Sequence, residues 1–162
     1  MEQNNELEIK KVEESKRIKE SNIWTRIWAV QSEVQPLIRD EKNKFQNYMY
    51  FEEEQVLKVL NPLLKKYRLG VVLSENVAVP IVYEEKEKMI NIKYQKKLEI
   101  INIDNPTEKL EYFYNVGASN QDLAKVKGSA ETYATKYILS KFFLIRVIDE
   151  NEPERIGENK KK

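Results

Sequence analysis

From Gly128 to Ile145 the chain reads Gly-Ser-Ala-Glu-Thr-Tyr-Ala-Thr-Lys-Tyr-Ile-Leu-Ser-Lys-Phe-Phe-Leu-Ile. Its apolar residues return every three or four positions, the period of a helix that buries one face. Ala130, Ala134, Tyr137, Lys141 and Ile145 fall on one stripe, with Tyr133, Ile138 and Phe142 beside it. An ordinary core helix would carry Leu or Val in its first half. This one carries small residues, which let a backbone approach a sheet or a ligand closely. Lys136 is expected on the side opposite Ala134 and Ile138, beside Ser129, Thr132 and Ser140. Hydroxyls around a cation suit phosphate oxygens. A plain solvated face competes with that view, and periodicity alone favours it.

Ahead of this helix the period changes from 3.6 to 2. Val77, Val79, Ile81 and Tyr83 alternate with smaller or polar residues; so do Ile90, Ile92, Tyr94, Lys96, Leu98 and Ile100, and then Leu110, Tyr112, Tyr114 and Val116. Turns are expected at Glu84 to Lys88 and at Asp104-Asn105-Pro106-Thr107. Three consecutive strands with short turns make an antiparallel meander. Pro80 belongs at an edge or a bulge, because it has no N–H for a ladder. A loop from Gly117 to Lys127 leads into the last helix.

Upstream, Ile23, Ile27, Val30, Val34 and Leu37 mark one helix face, ended near Pro36. Trp24 and Trp28 sit four apart on the next stripe and suit the core or a subunit interface better than base stacking. Asn43 to Phe51 is an aromatic loop, and Glu52 to Tyr67 a second helix with Val56, Leu57, Leu60, Leu63 and Leu64 on one side. Pro62 predicts a kink or break in it, and Gly70 a C-terminal stop. The fold class is therefore α+β: N-terminal helices, a three-stranded antiparallel meander and a C-terminal helix packed on it. Residues 21–148 form the domain, between a charged arm over 1–20 and a disordered charged tail over 149–162.

The 162 residues carry a net charge of +1, unevenly spread. Residues 86–97 and residues 125–146 are each +4, while 1–21 and 149–162 are each -1. Local basic patches on a near-neutral chain suit a polyanion. The absence of Cys and His excludes disulfides, thiol nucleophiles, Ser-His-Asp triads and the usual zinc sites. Glu52, Glu53 and Glu54 point in different directions on a helix and serve its first turn better than a metal. No catalytic residue, metal or cofactor is expected, and the chain is not expected to be an enzyme. With no apolar run near the roughly 20 residues of a membrane span, and no apolar leader, a cytoplasmic location is expected.

The stretch Gly128 to Leu139 resembles a motif of the essential recombination function (ERF) family of phage-type single-strand DNA annealing proteins, Gly-Ser/Ala-x-x-Thr-Tyr-Ala-x-Arg/Lys-Tyr-x-Leu. Gly128, Thr132, Tyr133, Ala134, Lys136, Tyr137 and Leu139 match it. Asn43 with Tyr48 and Tyr50 is similar to the family's aromatic stretch, and Asn61 to Leu69 to its Pro-Leu-Leu-Lys-Lys segment. The similarity runs from about Ile23 to Ile145. Lys136 stands where the family usually has Arg, and the tail lacks the acidic, hydrophobic-ended finish of some annealing proteins. The resemblance implies a β-β-β-α core, assembly into rings or filaments, and annealing of complementary strands in homologous recombination. It implies single-stranded DNA as ligand, with a single-strand-binding protein or a phage exonuclease as candidate partners.

Annealing needs strands held by their backbone with bases exposed, and no bond chemistry. Lysines supply sequence-independent affinity, and exposed aromatics add stacking of roughly 1–3 kcal/mol per base. The expected DNA-binding residues are Lys93, Lys96, Lys97, Lys125, Lys127, Lys136 and Lys141. Lys96 and Lys97 point to opposite faces of a strand, so they are alternatives. A nucleic-acid-binding module without annealing activity, and an oligomeric structural or adaptor protein, remain as rivals.

Overall fold

The computed structural model describes residues 2–39, 41–43 and 48–149. In chain order these form α1 (Glu2–Glu20), α2 (Ile23–Glu33), β1 (Leu37–Arg39), β2 (Glu41–Asn43), β3 (Tyr48–Tyr50), α3 (Glu53–Lys66), β4 (Leu69–Glu75), β5 (Val82–Lys86), β6 (Met89–Asn102), β7 (Lys109–Asn120), α4 (Leu123–Phe142) and β8 (Val147–Asp149). Part of the expected aromatic loop, 44–47, and the tail beyond Asp149 lie outside the described residues.

The sheet is organised by β6, whose alternation buries Ile92, Tyr94, Leu98 and Ile100 on one side. Along one edge it pairs with β7, from Ile90↔Asn120 to Ile101↔Lys109. Along the other it pairs first with β5 (Val82↔Lys93 to Lys86↔Met89) and then with β4 (Leu69↔Asn102 to Glu75↔Lys96). All three pairings are antiparallel, so β4 and β5 lie in line and the sheet is three strands wide with a broken first strand.

This corrects the expected meander. Its first strand begins at Leu69, and Val77, placed there by alternation, stands 96% exposed in the break. Asn76 makes the break: its side chain accepts from the Ala78 N–H (3.2 Å) and donates to Gln95 Oε1 (2.6 Å), while its carbonyl accepts from the Val79 N–H (3.0 Å). Pro80 occupies this gap on the sheet edge. Gly70, expected to stop α3, pairs with Ile101 inside β4 instead. The turn after α3 is made by Arg68, at φ 52°. The first hairpin turn contracts to Glu87 and Lys88, with φ 52° and 65°, the left-handed pair that a two-residue type I′ turn demands.

The last helix starts five residues before Gly128, because the Asp122 side chain caps it by accepting from the N–H groups of Ala124 (2.9 Å) and Lys125 (3.3 Å). The expected loop over 117–127 shrinks to Gln121 and Asp122. Val126, Ala130, Ala134 and Ile138 face the buried side of the sheet. With α4 seated on β6 and β7, α3 packs on α4, and α2 on α3 and β4. Pro62 neither ends nor divides α3. It is exposed there, and the bond it forfeits belongs to the carbonyl of exposed Lys58, which solvent can satisfy.

On α2, Ile23, Ile27 and Val30 are buried, and the helix ends at Glu33, ahead of Pro36. Trp24 and Trp28 are 58% and 68% exposed, so neither belongs to the core. Residues 2–20 are helical, with Ile18 packed against the core. The aromatic stretch forms an antiparallel hairpin, β2 with β3, and β1 pairs in parallel with β8 (Leu37↔Val147, Arg39↔Asp149). No described helix is long and apolar enough to cross a membrane.

Candidate nucleic-acid interface

The seven lysines singled out by sequence do not share one surface. Lys96 faces α4 and is 5% exposed; its ammonium pairs with Glu131, which also accepts from the Tyr94 hydroxyl (2.6 Å). Lys127 joins the same cluster through Glu131 (2.9 Å) and Glu75, with its ammonium 4.0 Å from the Tyr94 ring centre. Burial acts to raise the Glu131 carboxyl, but the bonds from Lys96, Tyr94 and Lys127 outweigh it and hold the group at about 2. Burial, then the bond to Glu131, pushes the Tyr94 phenol well above its ordinary value. Lys96 and Lys127 thus fasten helix to sheet.

Lys97 points to the opposite side of the sheet and pairs with Glu99 (3.0 Å) and Glu111 (3.7 Å). Lys93 shares that side, exposed, with Glu84 at 3.5 Å. Lys125 and Lys141 are exposed near opposite ends of α4, about 24 Å apart at 1.5 Å per residue. Lys125 lies 4.0 Å from Asp122.

Lys136 is the largest departure. It is 5% exposed, not on a solvent face, and Ser140 beside it is 4% exposed. Its ammonium donates to the Phe51 carbonyl (3.1 Å) and lies 4.4, 5.1, 5.3 and 5.5 Å from the ring centres of Tyr133, Phe51, Tyr137 and Tyr50. The reason is non-local: α4 is covered on one side by the sheet and on another by the segment joining β3 to α3. A single helical period cannot reveal the second cover. Desolvated cation–π contacts of this kind are worth about 2 kcal/mol.

The motif tyrosines take the solvent position instead. Tyr133 and Tyr137, one turn apart, are 43% and 46% exposed, and their rings stack with centres 5.9 Å apart and planes 10° from parallel. Phe51 and Tyr137 meet edge to face, with ring centres 5.7 Å apart. The pair forms one wall of an open groove of about 270 Å³, whose other wall is Tyr114 to Gly117 of β7; Ala134 and Ile138 contribute apolar surface, and Lys141 also lines it. Of the remaining motif residues, Thr132 is exposed and Gly128 is an exposed helical glycine with no packing neighbour for an added Cβ. Nothing in the fold requires glycine there. Gly117 differs, since an added Cβ would come within 3.2 Å of the Ile92 carbonyl.

Sequence reasoning missed Tyr114 as a wall and Phe51 as an anchor. The spacing of Tyr133 and Tyr137 was visible, but not which side of the helix would stay open. A flat aromatic pair in a polar-lipped groove can stack a planar ring, with Lys141 able to meet an anion beside it. Among the described residues no cluster of His, Cys, Asp and Glu is placed to hold a metal.

The model of the ERF superfamily matches residues 23–162 of this chain, from the first residue of α2 onward. The chain belongs to the ERF superfamily, which is associated with phage recombination and strand annealing. No curated protein matches it.

Proposed function

We propose that the protein binds single-stranded DNA along the groove between α4 and β7 and promotes the annealing of complementary strands in homologous recombination. The observation that carries this is the stacked, solvent-open Tyr133–Tyr137 pair on the motif helix. Bases of any sequence stack on such a surface, and Lys141 supplies a phosphate contact without sequence preference. Duplex DNA hides its base faces, so single strands should be preferred. Lys125, exposed near the other end of α4, and Lys93, across the sheet, lie outside the groove and offer separate cationic sites. The reaction proceeds without covalent chemistry, metal or cofactor. Self-assembly belongs to the same proposal: Trp24 and Trp28 are too exposed for a monomer's needs, and β7 has no strand on its outer edge among the described residues.

The test compares oligo(dT) with duplex of equal length by fluorescence anisotropy, and then measures the rate at which complementary oligonucleotides pair. Tighter binding to single strands and accelerated pairing are expected. Replacing both tyrosines (Tyr133→Ala with Tyr137→Ala) should lower single-strand affinity by about 1–3 kcal/mol for each base unstacked. Equal affinity for duplex, or an unaltered double variant, would overturn the groove assignment. Tight binding without accelerated pairing would leave a non-annealing binding module.

A further inference from the structure

We infer that Lys136, despite its place in a DNA-binding motif, is a positioning residue: it orders the tyrosine platform from behind and does not touch the nucleic acid. The inference rests on the groove reading for its consequence in DNA binding, and on the cage geometry for the ordering itself. Lys136 is 5% exposed, and its ammonium is bonded to the Phe51 carbonyl at 3.1 Å. A phosphate could reach it only by displacing the rings around it. Those rings include both members of the exposed stack, Tyr133 at 4.4 Å and Tyr137 at 5.3 Å. Phe51, whose carbonyl accepts the hydrogen bond, also packs edge to face with Tyr137, ring centres 5.7 Å apart.

One ammonium therefore ties the chain between β3 and α3 to the middle of α4, across 85 residues of sequence. The same ammonium sits against both tyrosines, where attraction between cation and π face resists their rotation away from the stacked pose. Phosphate affinity falls to a different lysine, Lys141, which is exposed and lines the groove. The two lysines thus divide the work that a single motif cation would do.

Salt dependence separates the two roles, because each phosphate contact contributes about 0.7 to the logarithmic salt slope on a single strand. Oligo(dT) affinity is measured over a salt series for the parent, Lys136→Met, Lys136→Arg and Lys141→Met. Lys141→Met should reduce the slope by about 0.7. Lys136→Met should leave the slope unchanged, lower affinity roughly tenfold at every salt concentration through lost stacking, and weaken the near-ultraviolet tyrosine circular dichroism. Lys136→Arg, which keeps a stackable cation, should restore both signals. A reduced slope for Lys136→Met would overturn the inference, and so would unchanged affinity and dichroism. If Lys136→Met does not fold, amine acetylation of the parent decides: Lys136 should be unmodified with and without oligo(dT), and Lys141 protected only by DNA. Modification of Lys136 in the free protein overturns the inference whether or not DNA protects it. A parent that fails to bind oligo(dT) retires the groove reading alone, since the dichroism of Lys136→Met and Lys136→Arg still decides whether the cation orders the rings.

Discussion

Lys96 on the middle strand and Glu131 on α4 form an ion pair whose lysine end is almost closed to solvent, with side chains 7% and 34% exposed. The pair joins α4, one wall of the groove, to β6, the strand on which the other wall, β7, is paired. Glu131 is held below the ordinary carboxylate value of 4.5, at about 2, so the folded state binds its proton less readily than the unfolded state. Its contribution is complete above about 4.5 and is lost as pH falls toward about 2. Glu131→Gln should cost about 1–3 kcal/mol at neutral pH. The difference in melting temperature between parent and variant should close across that acid window. A difference that stays constant through it would refute the assignment.

Arg26 is 1% exposed and donates to five acceptors, among them the Lys19 carbonyl (3.0 Å), the Ser21 carbonyl (3.1 Å) and Asp104 (2.8 Å). It binds the end of α1 and the turn after β6 to α2. Arg26→Met removes the charge but leaves these carbonyls and Asp104 short of a donor, so a loss of about 3–5 kcal/mol is expected. Hydrogen exchange should quicken around Lys19 to Ser21 and Asp104. An unchanged denaturation midpoint would show that solvent replaces the arginine at no cost.

Trp24→Gln together with Trp28→Gln removes two large, exposed rings. Monomer stability should change by less than about 0.5 kcal/mol. Light scattering should then report a shift from larger assemblies toward the 19.3 kDa chain. An assembly of unchanged mass would remove α2 from the interface.

Leu144 follows α4 at φ 53° and is 69% exposed. Its own N–H bonds the Lys141 carbonyl (3.3 Å), and the Ile145 N–H bonds that of Ser140 (2.8 Å), the pattern that usually places glycine at this position. Leu144→Gly should raise stability by about 1 kcal/mol, seen as a higher melting temperature. A fall would mean that the exposed leucine contributes packing.

The period of β6 and β7 is legible because one face of each strand is turned to the core, buried in β6 and half-buried in β7, so Leu98 and Ile100 alternate visibly with Lys97 and Glu99. The run Leu69-Gly70-Val71-Val72-Leu73 carries no alternation that marks it as a strand. Its glycine resembles a helix stop, and no local feature distinguishes that role from a ladder position opposite Ile101. Val77 and Val79 misled for the converse reason, since alternation persists where Asn76 turns the chain out of the sheet. At the site, the motif identified the helix, but Lys136 was placed by a period that assumes one buried face. What buries it is Phe51, which no spacing rule connects to α4.

The parallel pairing of Leu37–Arg39 with Val147–Asp149 has a consequence for synthesis. During translation the sheet and α4 can form as soon as their residues emerge, since their contacts run between neighbours in sequence. β1 must wait for its partner until more than 100 further residues have followed it. The hairpin that begins two residues after β1 ends next to Phe51, whose contact with Lys136 waits for α4, 85 residues on, and not for β8. Pulse-labelled hydrogen exchange should find β6 and β7 protected before Leu37–Arg39. A nascent chain therefore acquires its sheet and α4 before β1 and β8 can join, and that joining should be the last step of its folding.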